Sequence, residues 1–268
     1  MKNTLFLTLL FIISLFFACN NNSKSEQTTA TKTTQVVNRD SVRRTYEALL
    51  KSKPKLMPAK QIIEPGKIYP VDEGQTDTAF YVFREGLLQI LEEKNEFKLI
   101  ELLGDSIENG FGGNPFGVAA FVEKWKLDVN KDSSEVWQIL KNVITQGGVF
   151  DQSRDNFVAP YYTATFPDTY DASTVGVLTG EGVRVRAGTN VNSEILKTIS
   201  YDILPVIDWK AKEDMVDGEA DYWVKVKYAD KKEGFIYGKF IGSPYDYRAT
   251  FMKQPNGSWQ LAALVNGD

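Results

Sequence analysis

The residues able to do chemistry here are bounded by what is missing. The chain of 268 residues has no histidine and one cysteine. Without imidazole there is no Ser-His-Asp or Cys-His relay and no histidine metal ligand. A single thiol builds neither an internal disulfide nor a multi-thiolate zinc site. Catalysis would have to run on carboxylates, Lys, Tyr, Ser or Thr. Glu101, Asp105 and Glu108 are spaced four and three apart, which predicts one shared helical face. Paired carboxylates can hydrolyse a glycosidic bond, but such pairs come from different elements across a cleft. This set therefore reads as a solvated helix face. Asp128-Val129-Asn130-Lys131-Asp132-Ser133-Ser134 spaces its oxygens like a calcium loop. Ser133 stands where such a loop needs Gly, and Ile139 where it needs a bidentate Glu, so a turn and helix cap are expected. Asn109 to Gly117 is glycine-rich, but no Gly-Lys-Ser/Thr follows, so it reads as a turn. No enzymatic activity, no cofactor and no metal are expected.

The cysteine is better placed for another chemistry. Lys2 is followed by an apolar run, Leu5 to Ala18, broken only by Thr8 and Ser14. That run is too short to cross a bilayer as a helix, which takes ~20 residues, and it reads as a signal peptide over 1–18. Phe16-Phe17-Ala18-Cys19 resembles the lipobox of bacterial lipoproteins, with Phe at positions where Leu and a small residue are commoner. The resemblance implies cleavage before Cys19 and acylation of Cys19 by chains such as palmitate. It also implies a cell-envelope protein facing the periplasm, held to the inner or outer membrane. Residues 20–38 contain no aromatic side chain and one small apolar pair, Val36-Val37. Residues 19–39 therefore read as the lipidated cysteine and a flexible tether, the 19 residues after Cys19 spanning about 24 Å as a coil.

The elements beyond the tether divide by texture. Residues 40–146 carry helical spacing, and 40–172 read as a helix-rich domain that ends in an aromatic connector. Asp77 predicts a cap for a helix bearing Phe80, Phe83, Leu87 and Leu91. Phe97, Ile100, Leu103 and Ile107 predict another helical stripe, and Asp132 with Glu135 predicts the start of a third helix. The stretch 149–172 is an aromatic connector broken by Pro160 and Pro167, expected to pack as a seal between two halves. From Val175 the pattern changes to short β-branched runs, strictly alternating in Val183-Arg184-Val185-Arg186 and Val224-Lys225-Val226-Lys227. Residues 173–244 read as a small barrel. Residues 245–268 read as a hairpin turning at Pro255-Asn256-Gly257-Ser258. A lone hairpin is unstable, so it is expected to dock on the barrel or the helical half. The fold class is thus α+β.

The barrel segment carries a second resemblance. Gly182-Val183-Arg184-Val185-Arg186-Ala187-Gly188, Ile195 to Ile199, Trp223-Val224-Lys225-Val226 and Gly234-Phe235-Ile236-Tyr237 follow one another like the motifs of bacterial SH3-like (SH3b) domains. The whole layout resembles SH3b lipoproteins of Bacteroidota with an uncharacterised helical front half. The resemblance implies a non-catalytic module binding peptidoglycan or another envelope protein. It also implies structural roles for Arg186 and Gly188, and a packed Trp223. Asp208 to Asp221 is a longer, acidic insertion with Trp209 at its base. SH3-like grooves have aromatic walls, so Trp209, Tyr222 and Tyr237 are the candidate ligand contacts. The remaining alternative is an interaction adaptor that binds no wall, followed by a carboxylate wall hydrolase. With a net charge of −4 and a pI near 5.2, no nucleic-acid partner is expected. The membrane, through the lipid, is the one partner expected on chemical grounds.

Overall fold

A computed structural model describes residues 38–52, 57–110, 116–229 and 232–267. Cys19, the signal-peptide segment and the tether to Val37 lie outside the described residues, as does the centre of the glycine-rich loop. No helix among the described residues is long and apolar enough to cross a membrane. The described residues are mixed α+β, 31% of them helical and 35% in strands.

Helix α1 (Arg39–Ser52) buries no residue fully and sets Tyr46 edge-on against Tyr81, ring centroids 5.6 Å apart. A two-stranded hairpin of β1 (Ile63–Glu64) and β2 (Lys67–Ile68) follows it. Helix α2 (Thr78–Glu93) starts where the Asp77 cap predicts: its carboxylate accepts from the Phe80 N–H at 2.9 Å. Phe80, Leu87 and Leu91 are buried, as the spacing requires. Helix α3 (Glu96–Glu101) is capped by Asn95 and then stops. The next residues are strand β3 (Leu103–Glu108), not a continued helix. Glu101 therefore ends a helix while Asp105 and Glu108 lie on a strand, and the three share no helical face. Leu103 and Ile107 are four apart, a spacing that fits a helix turn and a strand face equally. Pairing settles the choice: β3 runs parallel to strand β14 (Trp259–Val265) from the far end of the chain. A Cβ at Gly104 would come 2.8 Å from the Gln260 amide nitrogen, so a larger residue there would displace the end of that side chain.

Helix α4 (Val118–Lys124) and helix α5 (Val136–Thr145) follow. Asp132 does not cap α5. It lies in a one-turn 3-10 segment, Lys131–Ser133, and α5 begins after it. Two bonds hold that turn apart from the helix: Trp137 Nε1 donates to the Lys131 carbonyl at 2.5 Å, and the Ser134 hydroxyl donates to the Trp125 carbonyl at 2.6 Å. Among the described residues no cluster of Cys, Asp or Glu is arranged to hold a metal.

The first half is built on a five-stranded sheet. Its order is β3, β14, β13 (Arg248–Lys253), β5 (Asn156–Ala159) and β4 (Val149–Phe150). The terminal hairpin β13–β14 thus fills the middle of the sheet that α2 and α5 cover. Phe80 lies 4.2 Å from Phe157 and 4.9 Å from Trp259 between ring centroids, with Phe150 and Phe251 also against it. Fully burying each such ring contributes about 1.5–3 kcal/mol. Beside this core Arg84 and Asp72 form a buried ion pair at 2.6 Å, and Asp72 also accepts from the Gly74 N–H.

The second half is a seven-stranded antiparallel sheet curled into a half-barrel. Its order is β12 (Ile241–Gly242), β6 (Val175–Leu178), β9 (Ile203–Val216), β10 (Glu219–Tyr228), β11 (Lys232–Tyr237), β7 (Val183–Arg186) and β8 (Ile195–Ile199). Leu178, Val183, Val185, Leu204, Val224, Val226 and Ile236 fill its interior. The acidic segment read as an insertion is a long hairpin within this sheet. Glu219–Trp223 pairs with Val216–Lys212 as a two-stranded ribbon beyond the barrel. Asp217 (φ 53°) and Gly218 (φ 83°) turn it, the left-handed pair that a two-residue hairpin loop requires. The aromatic connector does pack: helix α6 (Tyr161–Ala164) buries Tyr161 and Tyr162 with Ile68, Val71, Val175, Val177 and Ile203. These side chains join the two halves.

Candidate functional site

Alternation along β7 points Val183 and Val185 inward and leaves Arg184 exposed and Arg186 half-buried on the outer face. The same rule applied to β10 sends Val224 and Val226 inward and Trp223 outward. On β11 it sends Ile236 inward and Tyr237 outward. Trp223 and Tyr237 are directly opposite in register, with ring centroids 5.4 Å apart. Outward side chains are normally wet, yet these two are 2% and 4% exposed. The ribbon tip covers them. The Tyr237 hydroxyl donates to the Glu219 carbonyl at 2.5 Å and lies 3.3 Å from the Asp214 carbonyl. Trp223 Nε1 donates to the Asp214 carboxylate at 3.0 Å. That indole N–H holds the Asp214 carboxyl below its ordinary value, and the Met215 amide adds to the effect.

The result is a groove of about 820 Å³. Its floor is the Trp223–Tyr237 pair. One side is Arg184 and Arg186 with the Asn190–Asn192 loop; another is Asp214 to Asp217 at the ribbon tip. Val191, Met215 and Phe240 add exposed apolar surface, Met215 being 68% exposed. Arg186 is half-committed, because one guanidinium nitrogen donates to the Ser193 carbonyl at 2.8 Å and so ties the loop to β7. Gly188 has room for a Cβ, whose nearest neighbour would be Ser193 at an ordinary 3.5 Å, so the turn does not depend on glycine there. Arg184 is the exposed cation of the groove.

The three candidate ligand residues do not come together. Tyr237 lines the groove, but as buried floor with its hydroxyl engaged. Tyr222 alternates to the opposite face, half-buried, with the Lys210 ammonium 5.3 Å from its ring centroid. Trp209 packs on the barrel core over Gly176, where a Cβ would come 3.0 Å from its ring. Arg184, Met215 and the 190–192 loop are groove residues that sequence reasoning did not single out. The alternating Val-Arg-Val-Arg run signals Arg184. The Asp217-Gly218 dipeptide signals the hairpin that brings Met215 over the floor.

No protein-family model, no characterised protein and no solved structure matches this chain.

Proposed function

We propose that this protein is a lipid-anchored, non-catalytic binding protein of the cell envelope, acylated at Cys19, with its ligand seat in the groove over Trp223 and Tyr237. The carrying observation is that groove itself: an exposed cation, anions on the ribbon tip and an apolar rim at one place, set over the covered Trp223–Tyr237 pair. Cations on β7 and anions at the ribbon tip suit a short peptide that bears both carboxylates and an ammonium. Peptidoglycan stem peptides have that chemistry. An SH3-like reading of the half-barrel is supported by the meander β9–β10–β11 and by β12 returning to pair with β6, which curls the sheet toward closure. Calorimetric titration of the protein with soluble wall peptides tests the seat. A saturable signal supports it, and no heat with peptides that cover the wall's stem sequence rules it out.

A second reading, an adaptor for an envelope protein, is favoured by strand β8. It is the sheet's edge, paired only with β7, and Ile195 to Thr198 are all exposed. Such an edge can accept an added strand from a partner. In-cell crosslinking from Lys197 that gives one stoichiometric protein adduct, with no wall binding, selects this reading.

A further inference from the structure

Charge is unevenly distributed along this chain. From Asn38 to Lys60 there are seven Lys or Arg residues and two acids, a net +5, although the whole chain carries −4. Four of the seven, Arg39, Arg43, Arg44 and Lys51, are on α1 and all four are exposed. Val42, Tyr46, Leu49 and Leu50 are half-buried on the inner side of the helix, and Tyr46 also bonds the Gln75 carbonyl through its hydroxyl at 3.1 Å. The helix is therefore fastened by one face; its outer side also bears Asp40 and Glu47, the latter paired with Arg43 at 3.0 Å, and four cations against two acids leave it net basic to solvent. An amphipathic helix with Lys and Arg on its outer face is suited to an anionic lipid surface.

Position points to the same occupant. The chain outside the described residues ends at Val37, one residue before Asn38 opens into α1. With Cys19 acylated, 19 residues separate the anchor from Arg39. The first folded element met from the membrane is then the basic helix. Lipid chains hold the end of the chain to the bilayer without orienting the folded part, and a basic surface next to the anchor adds an electrostatic contact with anionic lipid.

We infer that α1 docks its basic outer face on the anionic bilayer surface, as a second attachment beside the Cys19 lipid. The inference rests on the anchored reading of Cys19, and the test separates the two. The full chain is floated with vesicles of phosphatidylcholine alone and of phosphatidylcholine mixed with phosphatidylglycerol. Apolar attachments act in both, so the excess on the mixed vesicles reports the basic helix. The wild-type chain shows that excess, and it vanishes as salt rises toward 1 M, where the Debye length falls to about 3 Å. Replacing Arg39, Arg43, Arg44 and Lys51 with Gln lowers the excess at least tenfold without changing the circular dichroism spectrum. Replacing Lys197, Lys210, Lys227 and Lys232 with Gln, an equal charge change elsewhere, leaves it intact. An excess that survives in the α1 variant, or is lost equally in the control variant, overturns the inference. Cys19→Ala retains the vesicle preference if α1 carries it. The anchored reading fails separately, if Cys19→Ala chains remain in the membrane fraction of cells.

Discussion

At the scale of single residues, two polar pairs have opposite characters. Asp72 and Arg84 are buried beside the aromatic core, and removing one partner strands the other charge away from water. Asp72→Ala is expected to destabilise the protein by about 3–5 kcal/mol, measured by denaturant unfolding, because Arg84 then has no counter-charge and Gly74 loses its acceptor. A cost within about 0.5 kcal/mol, the range of an ordinary surface substitution, would show that the pair is not needed. Asp214 is different. Its carboxyl is held low by the Trp223 indole N–H, so the bond is present above the ordinary carboxylate value of about 3.9. It is lost as pH falls through the lowered value. Trp223 emission should therefore be constant from neutral pH down to about 5 and change only below about 4, when compared with a Trp223→Phe chain. A transition near neutrality would contradict this ion–indole bond. Neither pair was legible in the sequence. Asp72 and Arg84 are 12 residues apart with a 3-10 turn between them, and Asp214 meets Trp223 only because a hairpin folds back.

At the scale of elements, local signals were readable where one force dominated and ambiguous where two periods coincided. The Asp77 cap and the Phe80–Leu91 stripe fix α2 because the cap and the buried face agree. Leu103 and Ile107 suit helix and strand alike, and only the distant β14 makes them strand. Asp217-Gly218 is a strong two-residue turn signal, and reading it alone recovers the β9–β10 ribbon. The groove followed less readily, because its floor depends on the ribbon folding over outward-facing rings. Two measurements test these elements. Truncation after Ser243 removes β13 and β14 from the centre of the first sheet, so the shortened chain is expected to be insoluble or protease-sensitive throughout its first half. A soluble product with native α2 protection would show that the hairpin is an accessory. Tyr237→Phe removes the bond to the Glu219 carbonyl at a cost of about 1 kcal/mol. Amide exchange at 214–219 should rise while exchange at Val224 and Val226 stays slow.

At the scale of the whole molecule, two cores are joined by tyrosines. Burial pushes the Tyr161 and Tyr162 phenols well above their ordinary value. For a group whose value is raised by folding, stability is intact below about pH 10 and declines as pH rises beyond it. Alkaline unfolding followed by phenolate absorbance should therefore be cooperative, with the seam tyrosines ionising only as the fold is lost. Early ionisation of both would show an open seam. In the proposed account the half-barrel presents its groove, α1 presents its charge, and Cys19 is the site of the lipid. The most direct test of the account is co-sedimentation of the protein with purified peptidoglycan, wild type beside Arg184→Ala/Met215→Ala. Both substitutions lie on the exposed rim and leave the barrel core untouched. The account predicts that the wild type pellets saturably and that the double variant binds at least tenfold more weakly, a loss of about 1.4 kcal/mol. Wild-type protein that remains in the supernatant, or a variant that pellets equally, would contradict it.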